Sequence, residues 1–329
     1  MVQPVLPIDR TKLSRVMAVI NGKGGVGKTT TTANLGGFFA LNSYRTLAID
    51  LDPQGNLEDE LGYADNDDND KGASLAKGLM FGEAVTPISN VRPNLDVWAG
   101  GNYLAHSAAS LTAELAKSPA RSKLALARLL EQVAGEYDMI LIDCPPGDGP
   151  LQQAALGAAR WVLVPTKSDE SSIKGLYKVT ERFDEVLDVN PGLDLLGIVL
   201  FGVGTAATRK DGELVRKSAE KGARTRISEI FGTEDGVIFE HTIRHSETVA
   251  SQVRRLGLLA YELDERGKAE AKEGVTWWKI RRGDIAKREL SSKTAGSVAD
   301  DLQGLAQEII DRIAAAETEG AEENEGALV

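Results

Sequence analysis

The 329 residues are 42% hydrophobic and 26% charged, a balance that excludes a fibrous or wholly disordered chain. With one cysteine, Cys144, no disulfide framework or multi-thiolate metal site can form within the chain; with no apolar run near ~18 residues and no export signal, a cytoplasmic protein is expected. The net charge of −11 looks unfavourable for nucleic acid, yet residues 58–70 hold seven acids and no Lys or Arg, and 297–329 hold nine acids against Arg312, so the remainder is net basic.

In chain order, residues 1–14 read as an N-terminal extension. Residues 16–20 form an apolar run that stops at a glycine-rich stretch, and a helix is expected over 28–41. Strands are expected at 46–50, 139–143, 161–165 and 195–201, with helices at 121–134, 172–188 and 213–231 between them. Short apolar strands alternating with helices predict a doubly wound α/β fold, a mainly parallel sheet with helices on both faces. A late strand at 237–239 and a helix at 247–255 complete a main domain spanning 15–265. Residues 266–296 are basic and contain Trp277 and Trp278, without a helical stripe or strand alternation, so they read as an insertion. A terminal helix is predicted at 297–316 from Val298, Leu302, Leu305, Ile309 and Ile313, packing on the main domain, and residues 317–329 read as an acidic disordered tail.

Gly22-Lys23-Gly24-Gly25-Val26-Gly27-Lys28-Thr29 fits the phosphate-binding pattern G-x-x-x-x-G-K-[ST], and it falls between a strand and a helix. Its backbone N–H groups would cradle phosphates. Lys28 would neutralise β/γ-phosphate charge, Thr29 would bind Mg²⁺ and Thr30 would follow in the helix's first turn. Asp50 and Asp52 lie at the end of the second strand, where open parallel sheets place ligand chemistry. The apolar strand ending at Asp143 has the layout of a magnesium-holding acid. His241 and His245, four apart with no third ligand, do not make a metal site.

The string KGGVGKTT resembles the deviant Walker A sequence of the ParA/Soj/MinD family of P-loop ATPases, and DLDPQGN (50–56) resembles that family's second nucleotide motif. The resemblance implies a Mg²⁺-dependent ATPase whose ATP is held in a sandwich homodimer. It implies that Lys23 reaches across to the partner's phosphates, that Asp52 positions the attacking water, and that Asp50 and Asp143 organise the metal. The segment Thr242-Ile243-Arg244-His245-Ser246 resembles the family's late-strand stretch beside the adenine, making Arg244 a candidate contact. An acid-flanked last helix argues against MinD-like membrane docking, and about twenty residues before the loop leave no room for the helix-turn-helix of larger ParA proteins. The short ParA/Soj class remains. It implies a DNA-partitioning ATPase on the nucleoid, binding double-stranded DNA without sequence preference and stimulated by a ParB-type centromere-binding partner. The candidate DNA contacts are Arg209, Lys210, Arg216, Lys217, Arg254, Arg255, Lys279, Arg281 and Arg282. The alternative is a related ATPase that positions a protein cargo such as a chemotaxis or division cluster.

Overall fold

The computed structural model describes residues 7–147, 149–203, 212–231, 236–283 and 289–326. Its strands are β1 (Val16–Val19), β2 (Thr46–Asp50), β3 (Ile88–Arg92), β4 (Leu95–Trp98), β5 (Met139–Asp143), β6 (Trp161–Thr166), β7 (Asp194–Val203) and β8 (Ile243–Arg244). Side chains alternate between two apolar layers. Val16 and Ala18 join one core cluster while Met17 and Val19 join the other, and Ile140 and Ile142 are likewise separated from Met139 and Leu141. A strand buried on both faces has no polar alternation to show, which is why these segments read as continuous apolar runs. The described strands form an eight-stranded sheet ordered β3-β4-β2-β5-β1-β6-β7-β8. All its pairings are parallel except β3 with β4.

The described α-helices are α1 (Lys28–Leu41), α2 (Leu57–Leu61), α3 (Ala73–Phe81), α4 (Leu104–Leu115), α5 (Pro119–Lys123), α6 (Ala125–Val133) and α7 (Gly149–Ala158), followed by α8 (Glu170–Asp184), α9 (Gly212–Phe231), α10 (Glu247–Leu256), α11 (Ala260–Lys272), α12 (Trp277–Arg282) and α13 (Ala295–Gly326). No described helix is long and apolar enough to cross a membrane.

Several boundaries differ from the sequence expectation. The helix expected at 121–134 is two, broken at Leu124. Residues 237–239 contribute a single bridge, Ile198 to Ile238, and the chain joins the sheet at Ile243 instead. The boundary set at 265 falls inside α11. That helix lacks a strong apolar stripe but is laced by i,i+4 ion pairs, Lys268 with Asp264 and Arg266 with Glu270, and its start is held by the Glu262 carboxylate on the Leu259 N–H. The segment read as an acidic tail, 317–329, begins inside the last helix. α13 continues to Gly326 through a Glu-rich stretch, with Glu317 paired to Arg15 at 2.9 Å.

α7 approaches the end of α5 so closely that a Cβ on Gly157 would lie 2.0 Å from the Lys123 carbonyl oxygen. Gly157→Ala is therefore expected to destabilise the fold by ~2–3 kcal/mol through forced backbone displacement. A urea-unfolding midpoint matching that of the wild type would contradict this packing.

Candidate active site

The C-terminal ends of β1, β5, β6 and β7 open onto a cavity of about 460 Å³ at the start of α1. Gly27 caps α1 with φ +96°, and a Cβ there would meet the Phe201 ring at 2.5 Å, so both backbone and space demand glycine. No side chain caps α1. Its first N–H groups thus remain for an anion, and the helix dipole favours one. Of the predicted residues, Gly24, Gly25, Gly27, Lys28, Thr29, Thr30, Asp52, Arg244 and Arg254 line the cavity. Gly22 and Val26 do not: Gly22 packs against Lys178, and Val26 is fully buried.

Lys28 is 6% exposed and its Nζ donates to the Lys23 carbonyl at 3.1 Å. Burial lowers its pKa, and the charges of Asp143 and Asp52 oppose that shift. Lys23 points elsewhere. Its Nζ donates to Asp169 Oδ1 at 3.0 Å and to Ser172 Oγ at 3.1 Å, at the N-terminus of α8. Bonds from Ser172, with Lys23 adding to them, pull the Asp169 carboxyl down to about 2.

The parallel register places Asp50 directly beside Asp143. Asp50 is 0% exposed, and both its oxygens are already used, Oδ1 accepting from Asp52 N–H at 3.0 Å and Oδ2 from Leu57 N–H at 3.1 Å. Both oxygens accept backbone N–H groups, so Asp50 shapes the loop that carries Asp52 while standing beside Asp143, the position expected of a residue that helps organise Mg²⁺ and its waters. Asp52 is 6% exposed, lines the cavity and accepts Gln54 N–H at 2.9 Å. Asp143 contrasts with both. It is 1% exposed, and neither of its side-chain oxygens has a hydrogen-bond partner. Two orphaned carboxylate oxygens, with Thr29 and Lys28 nearby, fit a hard divalent cation such as Mg²⁺.

Burial raises the Asp143 pKa to about 7, against the pull of nearby Thr29 and Lys28. Because the unfolded chain gives up this proton near the ordinary value of 3.8, its contribution to stability is complete below that pH and is lost as pH rises through about 7. Metal-free protein is thus expected to gain on the order of 1 kcal/mol on going from pH 7 to pH 6. Saturating Mg²⁺ keeps the carboxylate ionised and should flatten this slope. Urea midpoints in EDTA and in Mg²⁺ measure both; a metal-free midpoint that falls on acidification would contradict the orphaned-carboxylate account.

Arg244 lines the cavity, but its guanidinium is held bidentately by Asp301 of α13 at 2.7 Å. α13 also contributes Val298 and Leu302 to the wall. Sequence reasoning missed these, along with Phe201, Asn34 and Glu60. The Glu60 signal was present: Leu57, Glu60 and Leu61 share one helical face, which is the buried one.

The basic candidates separate. Arg209 and Lys210 lie outside the described residues, as do the side chains of Arg216 and Lys217 on α9. Arg254 lines the cavity, with Nη1 3.8 Å from Glu60 Oε1, and its side chain is 48% exposed. Arg255 pairs with Glu289, and Lys279 Nζ donates to the Gly274 carbonyl at 2.7 Å. Arg281 and Arg282 are exposed on α12 beside Trp278, which is 58% exposed.

An AAA domain family matches residues 14–195. An uncharacterised protein of Mycobacterium tuberculosis is 31% identical over 303 residues, covering 91% of this chain and 79% of that protein. The chromosome-partitioning ATPase Soj of Treponema pallidum is 32% identical over 210 residues, 62% of this chain and 78% of that protein. Among solved structures, the ATP complex of a Cyanothece McdA variant shares the fold, with TM-score 0.62 and 22% identity over 84% of this chain and 98% of that one. Cobyrinic acid a,c-diamide synthase from Mycobacterium smegmatis, with bound ADP and magnesium, superposes with TM-score 0.57 at 26% identity, covering 79% and 96%.

Proposed function

The chain belongs to the ParA/MinD family of P-loop ATPases, with ATP as substrate and Mg²⁺ as cofactor, and from that premise we propose that it is a DNA-partitioning switch. In this reading ATP closes two copies into a sandwich dimer, the dimer holds double-stranded DNA without sequence preference, and hydrolysis stimulated by a ParB-type partner releases it. The observation that carries the reading is Lys23. It sits in the phosphate loop yet does not line its own chain's cavity, and its ammonium is at the surface on Asp169. A cation so placed suits a neighbour's nucleotide better than its own.

Within one subunit, Lys28 exchanges the Lys23 carbonyl for β- and γ-phosphate oxygens, and the free N–H groups of the loop and α1 hold the rest of the chain of phosphates. Thr29 and Asp143 would hold Mg²⁺, which supplies charge neutralisation to the phosphates. Asp52, fixed by its bond from Gln54, orients the water that attacks the γ-phosphorus. Position and charge dominate this chemistry, so no strong base is required. The short helix carrying Lys279, Arg281 and Arg282 supplies a basic element suited to contact with DNA phosphates.

Retention of double-stranded DNA should be measured with ATP, with ADP and with no nucleotide, at two salt concentrations. Retention confined to ATP and weakened by salt supports the switch; equal retention in all three states overturns it. Capture of partners by the ATP-bound form separates a centromere-binding protein from a protein cargo positioned on DNA.

A further inference from the structure

Glu60 occupies the cavity wall in a condition that no structural role within the chain accounts for. It is 2% exposed, unlike its neighbours in the acidic stretch, which meet solvent. Its Oε1 accepts the Thr30 hydroxyl at 2.8 Å, and Arg254 stands 3.8 Å from the same oxygen. Its Oε2 is buried without a hydrogen-bond partner. An unpaired buried carboxylate oxygen is costly, so this atom is suited to a donor that enters the cavity.

Position along the cavity selects the donor. Thr30 directly follows Lys28 and Thr29, the phosphate end, and Glu60 is bonded to Thr30. The cavity wall also carries the apolar side chains Val249, Val253, Ala260, Val298 and Leu302, beside Arg244, His245, Ser246 and Glu247. Glu60, bonded next to the phosphate end, therefore stands where a nucleotide seated on this loop carries its sugar. Phosphate offers no donor and repels a carboxylate; a ribose offers two hydroxyl donors. The spacing of the pair is also held. Arg92 donates to the carbonyls of Leu61 at 2.9 Å and Gly257 at 2.8 Å, tying the end of α2, which carries Glu60, to the end of α10, which carries Arg254.

We propose that Glu60 is the residue that reads the ribose of the bound nucleotide, its Oε2 accepting from a sugar hydroxyl, while Arg254 at the rim neutralises the carboxylate beside the phosphates. This rests on the nucleotide-binding reading of the cavity. Neither residue belongs to the phosphate-loop or magnesium sets, so their loss leaves those groups in place. The pair makes the site selective for ribonucleotides over deoxyribonucleotides.

The test is equilibrium binding of the full chain, with Mg²⁺, to ATP, 2′-deoxy-ATP, 3′-deoxy-ATP and inosine triphosphate. The wild type is expected to favour ATP over at least one deoxy analogue by ~10-fold or more, the consequence of losing a hydrogen bond to a charged acceptor. In Glu60→Ala the preference collapses toward unity because ATP binding falls to the level of the deoxy analogue. Glu60→Gln, which keeps the volume and one acceptor, should fold normally and give an intermediate preference, and it carries the test if the alanine variant unfolds. Equal wild-type affinity for ATP and both deoxy analogues overturns the proposal, as does an equal loss for every nucleotide in Glu60→Ala or an unchanged preference in Glu60→Gln. A preference for ATP over inosine triphosphate that vanishes in the variants, with none over the deoxy analogues, overturns it in favour of a base contact. Failure of the wild type to bind any of the four overturns the nucleotide-binding reading itself.

Discussion

Asp52→Ala is expected to slow ATP hydrolysis by ~10²–10⁴-fold while leaving ATP affinity within a few-fold of wild type. The separation follows from geometry. Asp52 lines the cavity and is anchored by the Gln54 N–H at 2.9 Å, whereas the groups that hold phosphate, Lys28, Thr29 and the loop amides, belong to a different segment of the chain. Removing an interaction made to the attacking water costs transition-state stabilisation alone. Single-turnover hydrolysis alongside equilibrium ATP binding measures both quantities. A variant that hydrolyses ATP at the wild-type rate would remove Asp52 from the chemistry, and one that fails to bind ATP would assign it a binding role instead.

Lys23→Ala should abolish the ATP-dependent dimer while leaving ATP binding by the single subunit nearly intact. Two facts give this its direction: the side chain is absent from its own cavity, and its ammonium is engaged by Asp169 and Ser172 within the chain. Reaching a neighbour's phosphates requires that the ion pair with Asp169 be exchanged. The pair is partly exposed, at 35% and 48% of the two side chains, so breaking it costs little, ~1 kcal/mol or less. A triphosphate offers far more negative charge than one carboxylate. Mass measurement in solution with a non-hydrolysable ATP analogue decides the matter: a dimer of unchanged stability in Lys23→Ala would show that the lysine stays with Asp169 and that the subunits associate by other means. Asp169→Asn should act oppositely, strengthening the dimer, because it frees the lysine.

Within residues 14–195, which match the AAA domain family, the phosphate loop was legible from the chain alone, and the reason is local. A phosphate loop is a set of backbone torsions and helix-start N–H groups specified by adjacent residues, and the glycines, Lys28 and Thr29 carry it in consecutive positions. The central strands were legible because burial on both sheet faces forces an unbroken apolar run. The antiparallel pair β3 and β4 was not, since Asn90 and Asn94 take positive φ there and β3 buries only Ile88 of its five residues, leaving no clear pattern of either kind. α11 escaped because a helix stabilised by ion pairs four residues apart shows no apolar stripe.

What the amino-acid order determined by itself was the phosphate loop, the acids Asp52 and Asp143 at strand ends, and the alternation that yields a doubly wound sheet. Tertiary structure alone decided that Asp50 serves the loop, that Arg254 belongs to the cavity, that α13 supplies part of its wall, and that Glu60 is buried among otherwise solvated acids. Those facts depend on segments far apart in the chain meeting at the C-terminal edge of the sheet, as when Asp301 of α13 takes hold of Arg244 beside a loop that begins at Gly22. Charge and periodicity report the surroundings of a residue only where its neighbours in sequence are its neighbours in space.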